Sequence, residues 1–384
     1  TKDSRNLDRN SCIFFGKVLA GPEFLTVFNG ETGEAMSRVD YVPNRFPLNG
    51  WNGPGGNGGK DSSGNRVDRF LACVAYLDGI RPSVVMCRGY YGRSVLAAWD
   101  WRDGKLSLRW VFDSKDGKNP FSGQGNHNLS VADVDYDGKD EIVYGSMVVD
   151  DNGRGLFSTG FRHGDAMHVG DLMPERPGVE VVGVHEIEDN TTGPGAAIYD
   201  GATGEVLYKG SIDIDVGGGV AGDVDPLNPG TEMWYDRSGL LNMKGERIGE
   251  NPSSTQFLIW WDGDLSRELL NGNRVDKYRV GRIFTAEGAI AAAGSKNTPV
   301  LSADLFGDWR EEIIYRTPDN KSLRIYTTTI PTSVRLYTLM HDPQYRLSIA
   351  WQNVAYNQPP HTSFFMGTGM KKAPQPKITL IKKK

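Results

Sequence analysis

The stretch HNLSVADVDYDGKDEIVYGS, residues 127–146, sets Asp133, Asp135 and Asp137 at alternate positions, followed by Gly138, Asp140, Glu141 and a β-type run. Carboxylates crowded this closely repel one another unless a cation sits among them. Calcium takes about six to eight oxygen ligands and favours carboxylates with the carbonyls of a tight glycine-containing turn. Both are present here, and the flanking β-runs distinguish the loop from the helix-flanked calcium hand. Weaker copies carry Asp171 with Glu180, Asp223 and Asp225 with Glu232, and Asp304 and Asp308 with Glu312. For Asp304 the alternative is a turn whose aspartate caps backbone amides.

Histidine is the second signal. Of the six in the chain, His127, His163, His168 and His185 fall close together among acidic turns, and HGDAMHVGD sets two of them around Asp165. That concentration points to a metal or substrate face. Zinc has no HExxH pattern or cysteine pair to support it. A third candidate is Lys296 in AAAGSKNTP, on a turn of small residues that would leave its ammonium open to a ligand, although alone it reads as a surface lysine. AWQNVAYNQPPH, residues 350–361, gathers amides, aromatics and a histidine ahead of a Pro-Pro turn, either as sugar contacts or as a closing strand with Trp351 and Tyr356 in the core.

The elements that position these residues repeat. Each acidic loop lies between two β-runs, and the leading aspartates Asp78, Asp133, Asp171, Asp223, Asp264 and Asp304 recur at intervals of roughly 40 to 50 residues, a propeller-blade period. Between them lie hairpin signals: TVFNGETGEAM, AAWDWRDGKLSLRW, AIYDGATGEVLY and LLNMKGERIG. A hairpin and an acidic-loop unit together make about four strands, one blade. The fold class is therefore all-β, a β-propeller of about seven blades spanning 1–384 as a single domain. SRELL, residues 266–270, reads as a short turn of helix, and the glycine-rich stretch 49–66 as a long surface loop or lid.

Composition narrows the partners. The formal charge is −5 and glycine occupies 48 of 384 positions, which fits a turn-rich chain and excludes a nucleic-acid backbone as ligand. No apolar run is long enough to span a membrane. Cys12, Cys73 and Cys87 form no disulfide framework, and the terminal IKKK reads as a solvated end.

LAGPEFLTVFNGETGEAM, YLDGIRPSVVMCRGYYGRSVLAAWDWRDGKL, HNLSVADVDYDGKDEIVYG, HGDAMHVGDLMPERPGVEVVGVHE, DLFGDWREE and YRLSIAWQNVAYNQPPHTSFF together resemble rhamnogalacturonan lyases of polysaccharide lyase family 11. The resemblance runs through nearly the whole chain. It implies an eight-bladed propeller carrying several Ca2+ ions that cleaves the rhamnose–galacturonate backbone of pectin, rhamnogalacturonan I, by β-elimination at C4 of galacturonate. It further implies Lys296 as base beside Gly294 and Ser295, with Asn353, Ala355 and Tyr356 as sugar contacts. His127 and His163 are implied near the reacting sugar, on metal or on substrate. The expected protein is a secreted, periplasmic or cell-surface monomer whose leader is not in this chain. Two departures stand out. Family members carry further residues ahead of this segment, and an arginine expected near Gly218 is replaced by glycine in DIDVGGGVAGD. These departures support the competing reading, a calcium-stabilised propeller that binds pectic sugar or protein without cleaving it.

Overall fold

The computed structural model describes residues 13–14, 17–18, 20–51, 66–115, 119–187 and 192–378. Cys12, most of the glycine-rich stretch and the terminal lysines lie outside the described residues. Strands β1 (Ile13–Phe14) and β2 (Lys17–Val18) pair with each other, as do β3 (Phe24–Phe28) and β4 (Ala35–Asp40).

Five four-stranded antiparallel sheets follow. The first contains β5 (Phe70–Ala75), β6 (Ser83–Arg88), β7 (Val95–Arg102) and β8 (Lys105–Asp113); the second β9 (Ser130–Ala132), β10 (Glu141–Val143), β11 (Met147–Val149) and β12 (Gly155–Ser158). The third contains β13 (Ala166–Gly170), β14 (Glu180–Val184), β15 (Pro194–Asp200) and β16 (Val206–Ile212). The fourth has β17 (Gly219–Gly222), β18 (Glu232–Tyr235), β19 (Leu240–Asn242) and β20 (Arg247–Gly249); the fifth β21 (Phe257–Ile259), β22 (Glu268–Asn271), β23 (Arg274–Lys277) and β24 (Gly281–Thr285). A three-stranded sheet of β25 (Leu301–Ala303), β26 (Glu312–Arg316) and β27 (Leu323–Tyr326) ends the series, and helix α1 (Pro343–Trp351) follows.

Within each of these sheets, strands neighbouring in sequence are neighbours in space, as short connections favour. The hairpins expected from sequence are β3–β4, β7–β8, β15–β16 and β19–β20. In the β7–β8 turn, Asp103 and Gly104 have φ of 49° and 74°, which suits a tight hairpin connection. SRELL is not helical: Glu268, Leu269 and Leu270 begin β22 and pair with β21. Leu269 and Leu270 are both buried, and that burial on two sides outweighs their helix propensity.

First strands are buried on both faces, β9 and β13 wholly so, whereas last strands such as β8 and β16 are largely exposed. The core is accordingly a series of apolar layers between consecutive sheets. Val143 and Val148 meet Val181 and Tyr199; Val184 and Ile198 meet Met233 and Leu241; Phe257 and Leu270 meet Ile313 and Tyr315. Each wholly buried valine or leucine contributes about 1.5–3 kcal/mol. First strands adjoin in order, β5 to β9, β9 to β13, β13 to β17 and β17 to β21, and α1 touches β5, β9 and β25. The closing strand offered at 350–361 does not form: the helix ends at Trp351, and turns and irregular chain follow. Asp342 caps the helix by accepting from Tyr345 N at 3.0 Å, and Pro343 starts it. No helix among the described residues is long and apolar enough to cross a membrane.

Candidate functional site

Two sets of loops flank the first strands. Those entering β9, β13, β17 and β25 carry His127, His163 with Asp165, Gly217 with Gly218, and Lys296, respectively. The chain passes closely here: a Cβ on Gly164 would lie 1.8 Å from the Val184 carbonyl oxygen, so only glycine admits this path. The Gly164 carbonyl accepts from His127 N at 3.1 Å, which ties the two loops together.

His127, His163, Asp165 and Glu186 each place one ligand atom within 4.8 Å of the others. His127 Nε2 is 3.4 Å from Asp165 Oδ1 and 3.0 Å from the Tyr91 hydroxyl; His163 Nε2 is 3.9 Å from Glu186 Oε2. His163 Nδ1 donates to Gly125 O at 2.5 Å, which leaves Nε2 as the lone-pair nitrogen. Burial, then the charge of His163 and nearby cations, pushes the His127 pKa down to about 2, and burial pushes that of His163 to about 3. Both rings are thus neutral near pH 7. His163 Nε2 and Asp165 Oδ1 are buried without a hydrogen-bond partner. Neutral imidazoles and carboxylate oxygens converging on one point, one of them the buried Asp165 Oδ1, suit a divalent cation.

Lys296 reaches the same point from a later part of the chain. Its ammonium donates to Asp165 Oδ2 at 2.9 Å and to Gly217 O at 3.1 Å, and lies 4.6 Å from the Tyr356 ring centre. Tyr356 in turn stacks on His127 at 4.1 Å. Of the other residues expected here, Gly294 and Ser295 are exposed on the Lys296 turn, Ala355 is half-buried, and exposed Asn353 donates to Val300 O. A Cβ on Gly218 would meet Gln256 Nε2 at 3.1 Å. His168 and His185 stand apart from the cluster: the first bonds Gly219 O and His361, the second Ser146.

The loops leaving the first strands are the acidic ones, and they share a device. A glutamate opening the second strand of five sheets accepts backbone amides of its own loop. Glu141 takes Val134 N at 2.8 Å, Glu180 Leu172 N at 3.0 Å, and Glu232 Val224 N at 2.9 Å. Glu268 takes Trp261 N and Glu312 takes Leu305 N, both at 2.8 Å. The second carboxylate oxygen differs from loop to loop. Glu180 Oε1 accepts from Arg176 at 3.0 Å, Glu268 Oε1 from Lys277 at 3.3 Å, and Glu312 Oε1 from Thr327 at 2.9 Å. Glu141 Oε1 is buried without a partner, as is Asp133 Oδ1, and together with Asp135 these residues form a group of ligand atoms within 4.8 Å. That all-oxygen set fits calcium.

The remaining aspartates expected to bind metal have protein partners. Asp137 pairs with Lys139 at 2.7 Å, Asp225 with Arg279 at 2.7 Å, and Asp304 accepts from Gly307 N at 2.8 Å and Leu339 N at 2.9 Å. Asp171 and Asp223 accept from Phe365 N and Thr368 N, and each keeps a buried Oδ1 without a partner. Burial raises Asp223 to about 7 and Glu232 to about 9. Asp165 belongs to the histidine cluster rather than to an acidic loop. Sequence reasoning missed Tyr90, Tyr91, Glu186 and the Gly217 carbonyl. The aromatic doublet at 90–91 was the one available signal.

An all-β scaffold of successive antiparallel sheets, with a histidine–carboxylate cluster able to hold a cation at one end of its first strands, is the class that fold and site define. Residues 3–376 match the family described as rhamnogalacturonan lyase family 11, C-terminal domain, and the chain belongs to that family. It is 57% identical over 370 residues to the rhamnogalacturonan endolyase YesW of Bacillus subtilis strain 168, covering 94% of this chain and 58% of that protein. To the exolyase YesX of the same strain it is 54% identical over 386 residues, covering 94% and 61%. The solved structure of YesW superposes with a TM-score of 0.91 at 55% identity, over 97% of this chain and 64% of that one. A Bacillus licheniformis lyase of the family gives 0.91 at 53%, over 97% and 63%. The chain thus spans about three fifths of the relatives it matches.

Proposed function

We propose that this chain is the catalytic propeller of a calcium-dependent rhamnogalacturonan lyase. The sheets would be blades of one ring-shaped domain, and α1, which touches β5, β9 and β25, supports closure between the first and last of them. The observation that carries the activity is the convergence of Lys296 and the His127–His163–Asp165–Glu186 cluster on the two oxygens of Asp165.

In the elimination, the C5 proton of a galacturonate leaves, the bond from C4 to the rhamnose-bearing oxygen breaks with its electron pair going to that oxygen, which takes a proton from water, and an unsaturated uronate forms. Negative charge that develops beside the uronate carboxylate opposes this step. His127, His163, Asp165 and Glu186 would hold a calcium ion, which would supply the positive charge that offsets it. Lys296, as the free amine, takes the C5 proton. Asp165 Oδ2 and Gly217 O are then the acceptors that hold the resulting ammonium. Tyr356 offers its aromatic face to the pyranose, and exposed Asn353, Gly294 and Ser295 line the approach. A second set of ions among Asp133, Asp135 and Glu141, and in the loops of Asp171 and Asp223, would secure the blades. A polymeric substrate is consistent with a secreted or cell-surface protein acting as a monomer.

Glycine at 218, where an arginine is expected, favours one other reading, a propeller that holds the polymer without cleaving it. Incubation with rhamnogalacturonan I and calcium separates the two. Rising ultraviolet absorbance from the unsaturated product, abolished by chelator, is the expected result. A flat trace with retained polymer binding leaves only the binding function.

A further inference from the structure

Helix α1 ends at Trp351, and the chain after it runs beside the residues that follow the Lys296 turn. Three side-chain amides of 352–357 bond to that backbone. The buried Gln352 accepts from Ser302 N at 2.8 Å and donates to Ser302 O at 2.9 Å, Asn353 donates to Val300 O, and the buried Asn357 donates to Pro299 O at 3.0 Å. β25 is the edge of its sheet, so Gln352 fills both backbone groups of Ser302 in the way a neighbouring strand would. The same segment also reaches the cluster: Tyr356 N donates to His127 O at 3.1 Å, and the Tyr356 ring stacks on His127 at 4.1 Å. One strap therefore joins the stem of the Lys296 turn to the loop of His127.

The turn needs such a hold. Its backbone bonds, Ala292 N to Thr298 O at 2.9 Å and Gly272 N to Asn297 O at 2.8 Å, tie it to itself and to the fifth sheet. Gly294 and Ser295 are exposed, and a Cβ on Gly294 would meet nothing within 4 Å, so the outer side of the turn is unsupported. Proton abstraction tolerates little error, since a reacting group misplaced by about 1 Å can cost about a hundredfold in rate. Stability alone does not account for the strap's composition, because Asn357 keeps a buried Oδ1 without a partner. Resting on the lyase reading, we propose that Gln352 and Asn357 are positioning residues for the reaction: they act through Lys296, holding its turn at a fixed distance from the His127 cluster.

The test is a double-mutant cycle on rhamnogalacturonan I in calcium, which pairs Asn357→Ala with Lys296→Ala and reads kcat, KM and melting. Alone, Asn357→Ala is expected to lower kcat about thirtyfold with KM changed less than about threefold. Added to Lys296→Ala it is expected to lower kcat less than about twofold further, because a residue that acts through the lysine then has nothing left to position. A merely structural residue would leave the kcat of the folded enzyme unchanged, or would cost the same factor in both backgrounds, and either result overturns the proposal. If Asn357→Ala melts below the assay temperature, Gln352→Glu takes its place in the cycle. It keeps the shape and the bond from Ser302 N but, when ionised, cannot donate to Ser302 O, and its expected loss is about fivefold alone and less than about twofold beside Lys296→Ala. A wild type that forms no unsaturated product removes the lyase reading and the strap's role with it, whereas an active wild type with an additive cycle removes the strap's role alone.

Discussion

The two ends of the first strands obey different rules. Where the chain leaves these strands, one arrangement recurs: a glutamate opens the next strand and receives its own loop's amides in five sheets. Where the chain enters them, nothing recurs. His127, His163, Gly217 and Lys296 occupy corresponding places in different sheets, and each does something different. Repetition marks what each sheet needs in order to stand, since a glutamate that bonds the amides of its own loop can be copied. Singularity marks what the assembled molecule does, because a site built from several sheets needs each part once.

The sharpest way to break this contrast is at Lys296. Lys296→Ala is expected to lower kcat on rhamnogalacturonan by about a thousandfold, with KM changed less than about threefold and melting unaltered. A normal turnover number would remove the lysine from the chemistry and the entry loops from their special status. Exit loops should behave in the opposite manner. Glu141→Gln, which weakens a set with unpaired buried oxygens, is expected to lower stability in calcium by about 2 kcal/mol at unchanged kcat. Glu312→Gln, in a loop already satisfied by Thr327, should cost about 1 kcal/mol or less and leave the calcium dependence of melting intact. Denaturation curves with and without chelator make the comparison, and equal losses in the two variants would deny Glu141 its cation.

The smallest effect is one of pH. Burial raises Glu141 and Glu268 to about 8 and Glu232 to about 9, from an ordinary 4.5. In ion-free protein each takes up a proton on folding within that window, so the folded state binds more protons than the unfolded one, and stability falls as pH rises. Histidines held below 6.5 act oppositely, but only under pH 6.5, where the unfolded chain begins to charge them. Between pH 6.5 and 8 the carboxylates act alone. Melting of chelated protein should therefore drop by a few degrees over this interval, and calcium, by favouring the ionised forms of Glu141 and Glu232, should reduce the drop. A chelated protein indifferent to pH there would place these carboxylates in water.

This division also explains which features were legible in sequence. Hairpins and acidic loops are local: turn residues at 103–104 and alternate aspartates at 133–137 declare themselves within a few positions. The cluster is not local. Glu186, just after β14, joins His127 only because β14 pairs with β13 and β13 lies beside β9, and no spacing rule encodes that adjacency. Likewise SRELL reads as helix until both of its leucines are buried, while the helix start at Asp342-Pro343 precedes a run whose aromatics and amides resemble a strand as much as a helix. Resemblance to a family drew Lys296 out of the background, a role its small-residue turn did not disclose.

One partner of Lys296 is the carbonyl of Gly217, an atom that every amino acid carries. No point mutation can delete it; only a change in the course of the backbone can. That course is guarded nearby, since a Cβ on Gly219 would strike Val184 Cγ1 at 2.4 Å. Selection on this half of the lysine's anchorage would therefore fall on a neighbour that touches no sugar, and would pass for a preference about packing.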